Sequence, residues 1–370
     1  MHVLITVNTT WNVLNFRMPV VQALLDRGDR VTLLAPPDDT VSQLTAMGVR
    51  HLPLVMDSKG LNPLRDAALA HRFRRHFRSE SPDVILSWTI KNNLFGALMA
   101  KNAGIPFIPN VSGLGTAFLS GGALQFVAET LYKQAFRGLE TVFFQNDDDR
   151  DLFVRRRLVK DGQTRLLPGS GIDLERFAPV PQPDGPPVFL MIGRLLRDKG
   201  VLEYAEAARR LRISHPQARF RLLGATGSAN RSAIGEDTVK AWQDEGIIEY
   251  LGTTDDVRPH IAAASCVVLP SYREGAPRTL IEAAAMSRPL IATDVPGCRA
   301  VVDDGRNGYL CVVKDGASLA DACARFLALT SDDRSAMGRA GRSKMEQEFD
   351  QALVAAAYLS AINRATRGTT

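Results

Sequence analysis

The chain has 370 residues, more than a single hydrophobic core usually supports, so two domains of ordinary size are expected. With 45% hydrophobic and 23% charged residues it has the make-up of a globular protein, and its longest apolar runs are strand-sized, far short of the roughly 20 residues that cross a bilayer as a helix. Lys and Arg (45) exceed Asp and Glu (40), for a net charge of +5 and a pI near 9.1; the excess admits an anionic surface or a phosphorylated substrate as partner, and no nucleic-acid motif accompanies it.

His2–Val7 reads as a parallel-sheet strand, Met18–Arg27 as a helix closed by Gly28, and Asp29–Leu34 as a second strand. This β-α-β opening is the start of a doubly wound domain, whose ligands bind beyond the carboxyl ends of the strands. The loop between the first strand and helix, Asn8–Arg17, is therefore placed in a crevice; its Asn8, Thr9, Thr10, Asn12 and Asn15 carry the hydroxyls and amides that suit a sugar acceptor. The chain enters its first strand without the charged segment and apolar core of a secretory signal. Its four cysteines, Cys266, Cys298, Cys311 and Cys323, show neither C-x-x-C pairing nor histidines at metal spacing. Both features predict a cytoplasmic protein with reduced thiols.

Alternation continues through Val49–Leu54, Asp83–Ser87, the helix Asn92–Ala103 and Ile105–Asn110. The loop that follows, Asn110–Thr116, falls at the same crevice face, which makes Asn110, Ser112, Gly113 and Gly115 further acceptor candidates. Two stretches bear on partners: the basic run His71–Arg78, and Ala117–Phe136, where apolar residues recur at helical spacing beside Lys133 and Arg137. Together they are consistent with an N-terminal half that lies on an anionic membrane surface, peripheral on the cytoplasmic face of the inner membrane. The acidic cluster Asn146–Arg150 precedes a helix and reads as its cap, so no metal is assigned. Five prolines within Pro179–Pro187 interrupt any helix or central strand, and the domain junction is placed there: an acceptor domain over 1–178, a linker over 179–187 and a donor domain over 188–350.

The second domain repeats the pattern, with a strand at Val188–Ile192, the loop Gly193–Gly200, a helix from Val201, and strands at Phe220–Leu223 and Ile247–Leu251. Then Ser265–Leu269 breaks at Pro270, Gly275 and Pro277 before the Ala-rich helical stretch Thr279–Met286. A strand, polar loop and helix start in this order aim several backbone N–H groups into one crevice, a seat for a diphosphate. Glu274 on the loop and Glu282 in the helix are placed to hold hydroxyls at opposite ends of one ligand. The remainder is helical from Asp332, and Gln351–Arg364, within the segment 351–370, is expected to cross back to the first domain.

The segment REGAPRTLIEAAA (273–285) closely resembles the paired-glutamate signature of glycosyltransferase family four, retaining enzymes of GT-B architecture with two doubly wound α/β Rossmann-like domains facing each other across a deep cleft. The loop GRLLRDKG (193–200) is similar to the family's diphosphate grip, and TIKNNLFGALMAKNAGIP with NVSGLGTAFL resembles bacterial transferases that extend undecaprenyl-diphosphate-linked sugars. The resemblance implies a catalytic set of Glu274, Arg194 and Lys199. It implies a donor site of Gly193, Arg194, Lys199, Gly224, Leu251, Glu274, Gly275, Ala276, Pro277, Arg278, Thr279 and Glu282, with Glu282 on the ribose. The donor is expected to be a nucleoside-diphosphate sugar, uridine-based, the acceptor a lipid-linked glycan, and no metal cofactor is expected. The first loop departs from many family members in having no glycine. A nucleotide-sugar epimerase and a non-catalytic nucleotide-sugar binder are the rival readings. The epimerase depends on a cleft histidine, and none of the six histidines is near the donor loops.

Overall fold

The structure, a computed structural model, describes residues 1–57, 60, 62–114, 122–227, 230 and 232–367. The chain divides into two compact units, Met1–Gly171 with Gln351–Thr370, and Ile172–Asp350. Both are α/β and doubly wound, as the alternation predicts.

In the first unit seven strands form one sheet in the order β3-β2-β1-β4-β5-β6-β7: β1 His2–Thr6, β2 Arg30–Ala35, β3 Arg50–Pro53, β4 Val84–Trp88, β5 Phe107–Val111, β6 Val142–Phe144 and β7 Thr164–Leu166. Every pairing is parallel. The period of two along β1 sends Val3 and Ile5 to one face and Leu4 to the other, and both faces are apolar because helices cover both. Val3 and Ile5 meet the helices Met18–Asp26 and Gln351–Thr366. Leu4 meets Leu69, Phe73 and Phe77, spaced four apart on the helix Pro63–Glu80. That helix starts where the Asn62 side chain accepts from the N–H groups of Leu64 and Arg65, with Pro63 at its first position.

The last helix belongs to this unit by packing: Val354, Tyr358, Ala361 and Ile362 are buried, and the Tyr358 hydroxyl accepts from Asn110 Nδ2 at 2.8 Å. The loop expected over Asn8–Arg17 is mostly helix, Thr10–Phe16, which the Thr9 side chain caps by accepting from Asn12 N. Of the stretch Ala117–Phe136, residues 117–121 lie outside the described residues; the helix Gly122–Phe136 buries Tyr132 and Phe136 but leaves Phe126 and Val127 exposed.

The second unit holds six parallel strands in the order β10-β9-β8-β11-β12-β13: β8 Val188–Ile192, β9 Arg219–Leu223, β10 Glu249–Tyr250, β11 Cys266–Leu269, β12 Leu290–Thr293 and β13 Gly308–Cys311. Phe189 and Met191 point into one cluster with the helices Val201–Ser214 and Gly316–Leu327, Leu190 and Ile192 into another with Arg278–Ala285. Truncating a fully buried residue such as Leu190 to Ala is expected to cost about 3 kcal/mol, lost transfer energy plus a cavity.

The unit begins ahead of the Pro-rich stretch taken as the junction. Ile172 and Phe177 belong to its core, and the carbonyls of Val180 and Pro181 are held by the guanidinium of Arg288. Arg288 is fully buried and also donates to Ile261 O and Ala262 O. Burial lowers its pKa to about 10. The prolines therefore lie inside the second unit, a clamp away from the crossover at Gly171 and Ile172.

Candidate active site

In each sheet the strand order reverses once, between β1 and β4 in the first unit and between β8 and β11 in the second. At such a reversal the loops leaving the two central strands diverge to opposite faces and open a crevice at their carboxyl ends. In the second unit those loops are Gly193–Gly200 and Pro270–Pro277, the two segments singled out by sequence.

Glycines let them approach. The loop after β8 tightens into one 3-10 turn, Arg197–Lys199, and ends at Gly200 with φ 76°. A Cβ on Gly200 would collide with the Pro270 carbonyl, so a side chain there would push the loops apart. Tyr272 N donates to Asp198 O at 2.9 Å across the same seam. The consequence is an ion pair between residues 75 positions apart: Lys199 Nζ donates to Glu274 Oε1 at 2.5 Å, with the lysine side chain 27% and the glutamate 12% exposed.

The Glu274 backbone is clamped from behind, since its carbonyl accepts from Gly297 N at 3.2 Å and a Cβ on Gly297 would strike Glu274 and Gly275. Cys298 packs in the same wall; burial first, then the nearby Glu274 charge, pushes its thiol up to about 12. The helix Arg278–Ala285 has Pro277 capping its N-terminal end with no side-chain capping bond, and the Pro277 carbonyl accepts from the N–H groups of Leu280 and Ile281. Thr279 Oγ1 donates to Ile192 O at 3.4 Å, which sets that end beside the tip of β8. Along the neighbouring strand ends, Gly193 N donates to Leu223 O, Gly224 N to Gly252 O and Leu251 N to Leu222 O, a continuous backbone shelf.

Of the expected donor residues, the structure thus brings together Lys199, Glu274, Gly275, Ala276, Pro277, Arg278 and Thr279, with Gly193, Gly224 and Leu251 on the shelf. Glu282 sits apart from Glu274, buried, with Arg278 Nε donating to its Oε1 at 2.6 Å. Burial raises its pKa against the pull of Arg278. Arg194 is exposed, and its side chain has no hydrogen-bond or ion-pair partner among the described residues.

The expected acceptor residues divide in the same way. Thr9 caps its helix, Thr10 Oγ1 donates to Asp38 Oδ1 at 2.5 Å, and Asn15 Nδ2 donates to Trp11 O at 3.0 Å, all structural duties. The side-chain oxygens of Asn8 and Asn12 are buried without a hydrogen-bond partner. Asn110 is fully buried in its bond to Tyr358, Ser112 and Gly113 are half-buried beyond β5, and Gly115 lies outside the described residues. Sequence reasoning passed over Trp11 and Arg17. Trp11 is 51% exposed in the first loop; Arg17 is buried over the Trp88 ring at 5.1 Å, with Nη1 donating to Ser170 Oγ. A tryptophan inside a run of Asn and Thr was the available signal for the first. Arg17 gave none, because nothing local announces a buried cation. Among the described residues no three His, Cys, Asp or Glu side chains converge as a metal site would require.

Two Rossmann-like units, the second carrying a lysine, a glutamate and a helix start at its strand reversal, define a glycosyltransferase of GT-B type. Residues 186–328 match the family described as glycosyl transferases group 1, and residues 17–169 the glycosyl transferase 4-like domain. The chain is a member of glycosyltransferase family four. It is 27% identical to the N,N'-diacetylbacillosaminyl-diphospho-undecaprenol alpha-1,3-N-acetylgalactosaminyltransferase of Campylobacter jejuni, over 95% of this chain and 96% of that one. It is 24% identical to the UDP-Gal:alpha-D-GlcNAc-diphosphoundecaprenol alpha-1,3-galactosyltransferase of Escherichia coli, over 81% and 78%. Among solved structures, a glycosyltransferase from Rickettsia africae superposes with a TM-score of 0.79 at 17% identity, covering 99% of this chain and 98% of its own. The sucrose-phosphate synthase of Thermosynechococcus elongatus gives 0.79 at 20%, covering all of both chains. These two likenesses speak to the fold.

Proposed function

We propose that the protein transfers a hexose or N-acetylhexosamine, with retention, from a uridine-based nucleoside-diphosphate sugar to a polyprenyl-diphosphate-linked glycan in surface polysaccharide or glycan assembly. The observation that carries this reading is the Lys199–Glu274 pair at the strand reversal, next to the N-terminal end of the helix Arg278–Ala285. A departing diphosphate gathers negative charge, and Lys199, Arg194 and the N–H groups at that helix start are the groups that would neutralise it. Glu274, held by Lys199 until the donor arrives, would accept bonds from the transferred sugar. Glu282 is the candidate for the ribose, whose hydroxyls can donate to a carboxylate that burial otherwise disfavours. Attack from the donor face would let a phosphate oxygen take the acceptor proton, so that transfer would need no separate protein base.

The acceptor class follows the two relatives, both named for undecaprenyl-diphosphate-linked substrates. No helix among the described residues is long and apolar enough to cross a membrane, so a lipid-linked acceptor calls for attachment from outside. The helix Pro63–Glu80 offers exposed Arg74, Arg75 and Arg78, which have no ion-pair partner among the described residues, and the helix Gly122–Phe136 offers exposed Phe126. A peripheral position on an anionic bilayer fits this surface. Incubation with a panel of sugar nucleotides and GlcNAc-diphosphoundecaprenol is expected to yield one UDP-sugar that extends the lipid. Release of a rearranged sugar nucleotide without acceptor would favour the epimerase instead. Cosedimentation with phosphatidylglycerol vesicles, reversed by salt, tests the membrane position, and failure to bind at low salt refutes it.

A further inference from the structure

The loop Pro270–Pro277, which carries Glu274, is fastened by a side chain that the transfer reaction leaves without a role. Tyr272, two positions ahead of Glu274, is half-buried, and three separate elements of the second unit hold it. Its N–H donates to Asp198 O at 2.9 Å, in the turn that carries Lys199. Its hydroxyl donates to Glu203 Oε1 at 2.7 Å, in the first turn of the helix Val201–Ser214. Over its ring, 5.0 Å from the centroid, stands the Nζ of Lys314, from the loop between β13 and the helix Gly316–Leu327. Lys314 holds φ 60°, in the left-handed region that side chains seldom enter, so the chain bends against its preference at the residue that covers the tyrosine. The preceding residue is anchored too: the Ser271 carbonyl accepts from the Thr293 hydroxyl at the end of β12.

Packing accounts for the ring and not for its partner. Glu203 accepts from the tyrosine hydroxyl on Oε1, while its Oε2 is held out of water with no hydrogen-bond partner among the described residues, a penalty that an apolar side chain at this position would not incur. What the carboxylate supplies is one charge-assisted bond, O–H to O⁻, roughly twice as strong as a neutral one. Burial, then Glu203 itself, pushes the Tyr272 hydroxyl up to about 12, so it remains a donor throughout the neutral range. The bond joins the helix that follows Lys199 to the loop that carries Glu274. With the Tyr272–Asp198 bond it fixes the two segments across the seam at which the Lys199–Glu274 pair closes. Lys199 and Glu274 both end in flexible side chains, and this fastening sets where their backbones stand.

We infer that Tyr272 is a positioning residue: anchored on Glu203, it holds the loop of Glu274 in register with the turn of Lys199, so that the two groups meet the donor in the geometry that transfer requires. The inference rests on the transfer reaction proposed above. Steady-state kinetics with the UDP-sugar that the wild-type protein uses, beside urea denaturation of each variant, provide the test. Tyr272→Phe keeps the ring and its Lys314 contact and removes only the hydroxyl. It should lower kcat about tenfold, the loss of one charge-assisted bond, with the donor KM within about twofold and the urea midpoint little changed. Glu203→Leu should reproduce that loss, and Glu203→Gln, which keeps an oxygen to accept, should recover most of it. In a Lys199→Ala background Tyr272→Phe should lower kcat by no more than about twofold further, because its effect passes through the pair. A Tyr272→Phe protein with kcat within about twofold of wild type, a loss that follows urea stability, or a loss that adds in full to that of Lys199→Ala overturns the inference while leaving the transfer reaction standing. A wild-type protein that transfers from no sugar nucleotide overturns the transfer reading, and this inference with it.

Discussion

Replacing Lys199 by Ala separates a structural role of the Lys199–Glu274 pair from a chemical one. The pair is 2.5 Å apart but the lysine side chain is 27% exposed, so solvent screens it and its net contribution to folding is expected to be about 1 kcal/mol or less. Its effect on reaction is of another size. A preorganised cation at the point where diphosphate charge develops acts mainly in the transition state, and removing one such group costs about 3 kcal/mol, a fall in kcat of the order of 100- to 1000-fold. Lys199→Arg keeps the charge but not the compact ammonium, so a loss of about tenfold is expected. Single-turnover transfer from a radiolabelled UDP-sugar, run beside urea denaturation of each variant, reads both quantities. A Lys199→Ala protein that turns over within about threefold of wild type, or whose lost activity tracks lost stability, refutes the reasoning.

Arg288→Met leaves four carbonyls without their donor, one of them on the buried Ile261, and should destabilise the second unit by about 3 kcal/mol; Trp242 emission in a Trp11→Phe, Trp88→Phe background follows that unit during urea unfolding. Asp38 has a folded pKa of about 2 against 3.8: burial works to raise it, and the Thr10, Thr40 and Trp11 donors together outweigh burial. A depressed carboxyl contributes stability above its unfolded pKa and loses it as pH falls through the folded one, so wild type should weaken between pH 4 and pH 2 relative to Asp38→Asn in thermal melts. Burial raises the thiols of Cys298 and Cys311 to about 12 and those of Cys266 and Cys323 well above their usual value. Ellman's reagent should therefore react slowly with native protein and with all four thiols in guanidinium; rapid labelling of the folded state would contradict this.

Much of the architecture was legible because parallel strands buried on both faces leave continuous apolar runs such as VFLMI (188–192), and the loops at each strand reversal follow from strand order alone. Features that depend on distant partners were hidden. The helix Thr10–Phe16 is rich in Asn, Thr and Trp, poor helix formers, and forms because Thr9 caps it and Asp38, from another loop, accepts from the Trp11 N–H and the Thr10 hydroxyl. The Pro-rich stretch looked like a junction because prolines end regular structure; that they end it inside a unit is settled by Arg288, more than a hundred positions away. Lys199 and Glu274 could each be picked out as charged residues on loops. Their contact depends on Gly200 lying against Pro270, a close approach that no local pattern encodes.

The assignment of Gln351–Thr370 to the first unit has a consequence for how the protein is made. Ile172–Asp350 is in effect inserted into its neighbour, so the first unit stays incomplete until the tyrosine that closes over Asn110 and Trp88 has been synthesised. The first unit, although begun first, therefore cannot finish folding ahead of the second, and its apolar seam beside β4 and β5 stays open until the helix Gln351–Thr366 docks.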